Sequence, residues 1–289
     1  MEQLVRRRGN RLYLGNALHE DRMGTLVDKA FTWLFAVYFV ISCCICFSIA
    51  TIITFVTRPF DKNRRLTHYF SCIWGYHYLF VNPGWGCTIE GREHIDPRKT
   101  YILIANHQSY FDILVLYGLM RPFKFVSKES VFKTPLIGWN MYYNQYVSIK
   151  RGNLASIKEM MSDCREWLKR GASIMMFPEG TRSEDGELQS FRSGSFNLSQ
   201  ECNIPVVPIV IDGTHEILPK HAKGLRAGQK VRVKILPPVD PALFPGAPGK
   251  MRDHVHNLMQ ETLREMRSKR GRAIKSEAPE KVKAVGERQ

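Results

Sequence analysis

An uncharged segment at residues 30–57 is the feature of this sequence that most constrains its fold. The segment reads AFTWLFAVYFVISCCICFSIATIITFVT, and Lys29 and Arg58 are the nearest charged residues on either side. As a helix rising about 1.5 Å per residue it would reach roughly 40 Å, whereas the hydrocarbon core of a bilayer is roughly 30 Å thick. We therefore predict a membrane-embedded segment, either a tilted spanning helix or a re-entrant hairpin. A buried core helix is the alternative, and a secretory signal is disfavoured because its apolar region is only about 7–15 residues long.

The charge balance narrows the class of partner. Lys and Arg total 42 against 27 Asp and Glu, which gives a net charge of +15. Such a balance suits nucleic acid, an anionic membrane or acidic substrates. We expect anionic membrane lipids and no nucleic acid, because the sequence contains no nucleic-acid-binding motif. The apolar content of 44% excludes a disordered chain, and no metal site is predicted.

From residue 87 onward, short β-branched runs alternate with longer helical stretches. This alternation predicts an α/β fold with a mixed, largely parallel sheet flanked by helices, following the N-terminal membrane-embedded helical segment. Ligands of such sheets gather at the carboxyl ends of the strands. The predicted strands are 101–105, 123–126, 146–149, 173–177, 206–211 and 231–235.

Changes in composition divide the chain into five expected segments. The aromatic residues after the apolar segment are typical of a membrane interface, although packing against the following domain explains them equally well. The Pro-rich stretch 237–248 ends the α/β domain, and the charged tail from about Ser268 is predicted to be disordered. The segments are a basic N-terminal part (1–29), the membrane-embedded part (30–57), an aromatic membrane-proximal part (58–86), the α/β domain (87–248) and a C-terminal helix with a charged tail (249–289).

The first chemical motif, NHQSYFD at residues 106–112, follows the predicted strand YILIA. It places His107 at a strand's carboxyl end and Asp112 in the first turn of the next helix, where the two side chains can meet. A carboxylate that accepts one imidazole N–H leaves the other ring nitrogen free to act as a general base. A histidine that only completes the helix cap is the alternative. Because the sequence contains no Gly-x-Ser-x-Gly nucleophile elbow, we expect the base to activate a substrate hydroxyl.

The second motif, FPEGTRS at residues 177–183, also follows a predicted strand. Its proline and glycine fix a turn that lets the backbone approach a ligand closely. The planar guanidinium of Arg182 suits bidentate phosphate binding. Glu179 is expected to hydrogen-bond a polyol or to hold Arg182, and a structural Glu179–Arg182 ion pair is the alternative.

Three further cations follow predicted strands or the second motif and could extend an anion site. They are Lys128, Arg151 and Arg192. Simple solvation of the protein surface is the alternative for exposed Lys and Arg side chains.

Taken together, these motifs resemble the lysophospholipid acyltransferase superfamily, and most closely its 1-acyl-sn-glycerol-3-phosphate acyltransferases of bacterial type. The resemblance covers roughly residues 70–245. The family's motifs are matched by Asn106, His107 and Asp112, by the basic Arg151 after a strand, by residues 177–183, and by the Pro-centred apolar run 206–209.

The resemblance implies transfer of an acyl chain from acyl-CoA or acyl-carrier protein to the sn-2 hydroxyl of lysophosphatidic acid, giving phosphatidic acid, without a cofactor. It implies that His107 and Asp112 are catalytic. The implied substrate-binding residues are Lys128, Arg151, Glu179, Gly180, Thr181, Arg182 and Arg192. Because activated acyl donors are made in the cytoplasm, we expect a bacterial inner-membrane protein with its catalytic domain on the cytoplasmic side. The alternatives are another lysolipid acceptor, such as a lysophospholipid or lyso-ornithine lipid, and a non-catalytic membrane protein that binds anionic lipid.

Overall fold

A computed structural model describes residues 2–277 apart from 82–83, 223 and 227, and the side chains of residues 29–269 with the same gaps. The strands are β1 (Gly86–Glu90), β2 (Ile102–Ala105), β3 (Phe123–Lys128), β4 (Val147–Ile149), β5 (Ser173–Met176), β6 (Val206–Asp212) and β7 (Lys230–Ile235). They form one sheet in the order β1-β7-β6-β2-β5-β3-β4.

Helices precede the sheet and alternate with its strands. The α-helices are α1 (Glu2–Thr57), α2 (Arg65–His77), α3 (Phe111–Tyr117), α4 (Glu129–Phe132), α5 (Ile137–Tyr143), α6 (Leu154–Lys169), α7 (Gly194–Cys202), α8 (Thr214–Ile217) and α9 (Pro248–Glu277). Short 3-10 turns lie at Tyr78–Phe80, Arg92–His94 and Pro241–Leu243.

The pairing of the strands confirms the predicted mixed, largely parallel sheet. Every neighbouring pair runs parallel except β6 and β7, which are antiparallel. The six predicted strands are all present, but β1 was not predicted. Its sequence GCTIE lies at the sheet edge and alternates between exposed and partly buried residues, so it lacks the apolar run that identifies a central strand.

The sheet separates two hydrophobic layers. Successive side chains of β2 point to opposite faces of the sheet, so β2 contributes to both layers. Leu103 and Ala105 pack into the layer that contains α2 and α3, whereas Ile102 and Ile104 pack into the layer of α6, α7 and α9. All four β2 side chains are at most 1% exposed. At about 1.5–3 kcal/mol for each large buried side chain, this double-sided burial makes β2 a rigid support for the loop that follows it.

One face of α1 packs against the rest of the chain, and the side chains on the opposite face are exposed. Phe35 contacts Trp85, Phe39 contacts Tyr78, and Phe47 stacks on a tyrosine of α5. These phenylalanines recur at multiples of four residues and therefore lie on one side of the helix. The opposite face carries apolar residues that are each more than half exposed, namely Trp33, Val37, Ile41 and Ile45.

The structure bears on one of the alternatives for the apolar segment. The re-entrant hairpin is excluded, because α1 continues without a break from Lys29 to Thr57. By length and composition the stretch Lys29–Thr57 could cross a membrane, and 17% of an 18-residue apolar window within it is buried inside the protein. Membrane embedding stays a prediction. The basic side chains before Lys29 lie outside the described residues.

Two other segments can be compared with expectation. In 58–86, Trp74 and Trp85 are buried, in agreement with packing against the following domain, whereas Phe80 is 66% exposed. The C-terminal helix α9 runs to Glu277, well past Ser268, where a disordered tail was predicted to begin. Its buried residues Met251, Val255 and Met259 hold it against the sheet, and it continues from that anchored part. The remainder of the predicted tail, 278–289, lies outside the described residues.

Candidate active site

Parallel strands bring the predicted site residues to one edge of the sheet. Strands β6, β2, β5, β3 and β4 all run in the same direction, so their carboxyl ends share that edge. His107 follows β2, and Glu179 and Arg182 follow β5. Arg151 follows β4, and Lys128 is the last residue of β3. The strand-end rule therefore located this cluster correctly from the sequence.

The imidazole of His107 and the carboxylate of Asp112 are in direct contact. The distance from His107 Nδ1 to Asp112 Oδ2 is 2.8 Å. Asp112 is fully buried, whereas 11% of the His107 side chain remains exposed. Because Nδ1 donates to the carboxylate, Nε2 is the nitrogen left for a substrate, and it has no partner among the described residues. The histidine is thus paired with a carboxylate, as the spacing of the two residues predicted.

Four donors surround the Asp112 carboxylate. Oδ2 accepts the backbone N–H groups of Gln108 and Ser109 at 2.7 and 2.9 Å in addition to the His107 ring. The other oxygen, Oδ1, accepts the hydroxyl of Thr214. Such a set of donors holds the carboxylate in a single orientation and thereby fixes the plane in which the imidazole must lie.

The His107 ring is also supported from the side. It stacks on Phe177, with ring centroids 4.0 Å apart and planes 18° from parallel. The side-chain carboxamide of the preceding Asn106 hydrogen-bonds to β6 in the way that a strand backbone would. Its Nδ2 donates to Ile211 O at 2.8 Å, and its Oδ1 accepts from Ile211 N at 2.7 Å. The segment that carries His107 therefore contacts both neighbours of β2, the residue after β5 and strand β6.

Glu179 contacts the His107 backbone rather than Arg182. Its Oε1 accepts the N–H of His107 at 3.0 Å, and Ser183 N donates to His107 O at 2.8 Å. The described side chains include no Glu179–Arg182 ion pair, so that alternative and the expectation that Glu179 holds Arg182 are wrong. Burial, reinforced by the negative charge of Asp112, raises the pKa of Glu179 to about 8 despite the hydrogen bond from His107 N. The FPEGTRS turn thus clamps the His107 peptide from both sides.

Arg182 and two other arginines, Arg151 and Arg192, form a cationic cluster. The guanidinium carbon of Arg182 lies 3.8 Å from the centre of the Tyr110 ring. Burial lowers the pKa of Arg151, and the positive charges of Arg192 and Arg182 lower it further. Two guanidinium groups close enough to act on a third provide, together with it, strong attraction for a phosphate dianion.

Gly180 allows the FPEGTRS turn to approach this cluster. Its φ of +73° lies in the left-handed region, and a Cβ atom there would come within 2.7 Å of Arg192 Nε. Thr181 is half-buried in the same turn. Lys128 is exposed at the end of β3, where its register partner is Ile149 of β4, and no described contact joins it to the three arginines.

Sequence reasoning missed two supporting residues. Thr214 begins α8 just after β6, so the strand-end rule pointed to its position, but threonine carries no motif of its own. Arg267 of α9 donates to Asp212 at the end of β6, at 3.2 Å, and to Gly186 O at 2.7 Å. It ties the C-terminal helix to the loops around the site from a distance of many residues along the chain, which no local pattern reveals.

No group of three or more potential metal ligands occurs among the residues that the structure describes. The side chains described above offer a base, a carboxylate partner and a group of guanidinium cations.

Comparison with known proteins identifies relatives of this chain. The family model described as Acyltransferase matches residues 86–212. A 1-acyl-sn-glycerol-3-phosphate acyltransferase from Chlamydomonas reinhardtii is 41% identical over 184 residues, which cover 62% of this chain and 55% of the relative. The corresponding protein of Saccharomyces cerevisiae is 30% identical over 210 residues, which cover 71% of this chain and 68% of the relative.

A solved structure shares the fold. The 1-acyl-sn-glycerophosphate (LPA) acyltransferase PlsC from Thermotoga maritima superposes with a TM-score of 0.68 at 27% identity, covering 83% of this chain and 98% of that one. The chain spans about half the length of the Chlamydomonas relative but more than two thirds of the yeast protein. It belongs to the 1-acyl-sn-glycerol-3-phosphate acyltransferase family within the lysophospholipid acyltransferase superfamily.

Proposed function

We propose that this chain transfers an acyl group from an acyl thioester to the sn-2 hydroxyl of lysophosphatidic acid, with phosphatidic acid as the product. The observation that carries the proposal is the 2.8 Å contact between His107 Nδ1 and Asp112 Oδ2 at the carboxyl edge of the sheet. The relatives described above are acyltransferases of 1-acyl-sn-glycerol-3-phosphate, which supports the choice of acceptor.

The reaction begins with general base catalysis. His107 Nε2 takes the proton of the acceptor hydroxyl as its oxygen attacks the thioester carbonyl, and Asp112 stabilises the resulting imidazolium through Nδ1. The tetrahedral intermediate then expels the thiolate and forms the ester. The imidazolium returns its proton to the thiolate, so His107 ends in the state in which it began. No covalent intermediate with the protein is required.

The arginine cluster explains why the acceptor carries a phosphate. The positive charges of Arg182 and Arg192 act unfavourably on Arg151, and a phosphomonoester dianion bound among the three would offset that repulsion. A choline or ethanolamine head group would leave the phosphate with one negative charge and add a positive one. We therefore assign the three arginines to the acceptor phosphate and Lys128 to a peripheral attractive role.

The FPEGTRS turn forms part of the acceptor site. Glu179 holds the His107 peptide, Gly180 admits Arg192, and Thr181 lines the turn between them. Acyl-CoA or acyl-carrier protein serves as donor, and no cofactor takes part. The exposed apolar face of α1 supports a membrane location, where the acyl chain of the acceptor is held. We place the catalytic domain on the cytoplasmic face of a bacterial inner membrane, where the activated donors are made.

The deciding experiment measures thiol release from acyl-CoA in the presence of lysophosphatidic acid, using the purified full chain. His107→Ala should lower kcat by about 10²–10⁴-fold, the usual contribution of a general base. His254→Ala is the matched control, because His254 is an exposed histidine on α9. Near-normal turnover by His107→Ala would contradict the assignment of His107 as the general base. Absence of turnover by the unaltered chain would contradict the proposed function.

A second assay tests the acceptor. Lysophosphatidic acid should be used in preference to lysophosphatidylcholine and lyso-ornithine lipid by the unaltered chain. Arg182→Gln should reduce that preference by raising KM for lysophosphatidic acid more than it lowers kcat. Equal use of all three acceptors would contradict the assignment of the arginines to a phosphomonoester.

A further inference from the structure

A cavity of about 150 Å³ lies between the carboxyl-terminal ends of α1 and α5. It is distant from the catalytic edge, because the adjoining α1–α2 turn contacts the opposite edge of the sheet. There Asn63 donates to Arg170 O at 3.2 Å just before β5, and Lys124, near the start of β3, donates to Asn63 O at 2.8 Å. We call it the α1–α5 cavity; its wall includes Phe55, Arg58, Arg64, Tyr142, Tyr143 and Gln145.

The polar groups of the α1–α5 cavity are suited to an anion. Two guanidinium groups, those of Arg58 and Arg64, line it, and no carboxylate does. Arg64 Nη1 is buried without a hydrogen-bond partner in the described part of the chain. A buried guanidinium N–H without an acceptor is costly, so a bound acceptor at this position would be favourable.

The acidic residue in the segment that carries these arginines already accepts hydrogen bonds from the backbone. Residues 58–65 hold four basic residues and one acidic residue, so their net charge is 4 − 1 = +3. The acidic residue, Asp61, caps α2 by accepting the backbone N–H groups of Arg65 and Leu66 at 2.9 and 2.7 Å. Neither Arg58 nor Arg64 forms an ion pair with any described side chain, so their charge remains available to a ligand.

The backbone around the α1–α5 cavity is unusual. Arg64 and Gln145 have φ values of +54° and +55°, in the left-handed region that residues other than glycine seldom adopt. They lie far apart in sequence, yet both line this cavity. Strained residues persist where the surrounding structure holds them, and they concentrate at binding sites.

The surroundings of the α1–α5 cavity distinguish a lipid from a free ion. It opens where the apolar part of α1 ends, next to the exposed side chains of Ile52, Phe55 and Val56. Phe60, just beyond, is 69% exposed. A cationic recess bordered by exposed apolar residues matches a molecule with an anionic head and an apolar tail.

We propose that the α1–α5 cavity binds the phosphate of an anionic phospholipid, held by Arg58 and Arg64, with its acyl chains along Ile52, Phe55 and Val56. This site goes beyond the proposed function, because it is separate from the acceptor site and its ligand is not consumed. A lipid bound there fixes the end of α1 at the phosphate level of the membrane and so sets the depth of the whole chain.

The test is native mass spectrometry of the purified full chain in neutral detergent, titrated with dioctanoyl phosphatidylglycerol or dioctanoyl phosphatidylcholine. Phosphatidylglycerol is chosen because it is anionic but is not the product of the proposed reaction. We expect the first phosphatidylglycerol to bind about tenfold more tightly than phosphatidylcholine, since only the former leaves a net negative charge for the arginines. Inorganic phosphate in large excess should not displace it, because phosphate lacks the acyl chains.

Matched variants locate the site. Arg58→Gln and Arg64→Gln should each weaken phosphatidylglycerol binding about tenfold through loss of a charge-assisted contact. Arg65→Gln is the control, since it removes the same charge one position away from Arg64 but outside the α1–α5 cavity, and it should change binding by less than about twofold. Because Arg58 is exposed, Arg58→Gln keeps the test valid even if the Arg64 variant fails to fold.

Several results would overturn the proposal. These are equal affinity for the two lipids, unchanged binding in Arg58→Gln, an equal loss in Arg65→Gln, or full displacement by inorganic phosphate, which would identify a free-anion site instead. Arg182→Gln should bind phosphatidylglycerol like the unaltered chain, because it removes an arginine assigned to the acceptor phosphate and none from the α1–α5 cavity. Binding that survives in this variant separates the lipid site from the acceptor site, so failure of either proposal leaves the other testable.

Discussion

Thr214 donates a hydrogen bond to Oδ1 of Asp112, the carboxylate oxygen opposite to the one that meets His107. The two oxygens therefore accept different hydrogen bonds. Oδ2 accepts from the imidazole and from two backbone N–H groups, and Oδ1 accepts from one hydroxyl. Because Thr214 follows β6 whereas Asp112 follows β2, this contact joins two neighbouring strand ends across the site. We infer that Thr214 is a positioning residue that sets the rotation of the carboxylate.

Thr214→Val tests this role while preserving the shape of the side chain. Loss of the hydroxyl leaves a buried carboxylate oxygen without its donor, and we expect kcat to fall by about tenfold, equivalent to roughly 1.4 kcal/mol. The acceptor KM should be unchanged, because Thr214 does not contact the arginine cluster. Steady-state kinetics measures both constants, and Thr214→Ser should restore kcat. A variant with unchanged kcat, or one whose loss persists in full when His107 is already Ala, would contradict positioning through Asp112.

The stacking of Arg182 on Tyr110 predicts a specific effect on acceptor binding. The ring orients the guanidinium at 3.8 Å, and a cation–π contact of this kind contributes about 0.5–2 kcal/mol. Tyr110→Leu should therefore raise KM for lysophosphatidic acid by about two- to thirtyfold with a smaller change in kcat. Tyr110→Phe keeps the ring and should behave like the unaltered chain. If Phe and Leu at this position gave the same KM, the ring would have no role in orienting Arg182.

Glu179 makes the stability of the fold depend on pH. Its pKa is about 8 in the folded chain against an ordinary value of 4.5, because burial disfavours the charged carboxylate. Between these values the folded chain binds a proton that the unfolded chain has released, so stability falls as pH rises from about 4.5 to 8. Glu179→Gln keeps an acceptor for His107 N but cannot ionise. We expect its melting temperature to decline less than that of the unaltered chain between pH 5 and pH 8.

A comparison with Glu184→Gln controls this experiment. Glu184 belongs to the next loop but is exposed and paired with Lys220 at 2.6 Å. Its removal should leave the decline in melting temperature above pH 5 in place. If Glu179→Gln showed the same decline as the unaltered chain, the buried carboxyl could not be the group that titrates.

The sequence predicted most of the site because two independent patterns converged on it. Apolar strand runs located the carboxyl edge, and the motifs at 106–112 and 177–183 supplied the polar residues at that edge. The pairing of His107 with Asp112 followed because the two residues are neighbours in the chain and their separation is governed by one turn of backbone.

What could not be predicted depends on contacts between distant parts of the chain. Glu179 was expected to hydrogen-bond a polyol or to hold Arg182, three residues away, but it accepts the backbone N–H of His107, which follows β2. Thr214 and Arg267 reach the site only because β6 and α9 fold beside it. Strand β1 was missed for a different reason: an edge strand exposes one face and does not need the apolar run that identifies a buried one.

Lys124 is the clearest example of a residue whose role only the fold reveals. It lies in β3 and is 2% exposed, with its ammonium donating to Asn63 O and Asn144 O at 2.8 and 2.6 Å. The Trp167 ring lies 4.5 Å from the same nitrogen. A charged group therefore links the α1–α2 turn, the end of α5 and the sheet.

Burial lowers the pKa of Lys124 from 10.5 to about 7, although the nearby Asp61 carboxylate opposes the shift. Between pH 7 and pH 10.5 the unfolded chain binds a proton that the folded chain has lost, so this group makes stability rise with pH, opposite in sign to Glu179. The rise amounts to several kcal/mol at about 1.4 kcal/mol per pKa unit. Lys124→Met should abolish it, whereas Lys133→Met, at an exposed position at the end of α4, should not. Melting curves between pH 7 and pH 10 measure the slope, and a slope that survives in Lys124→Met would show that another group titrates there.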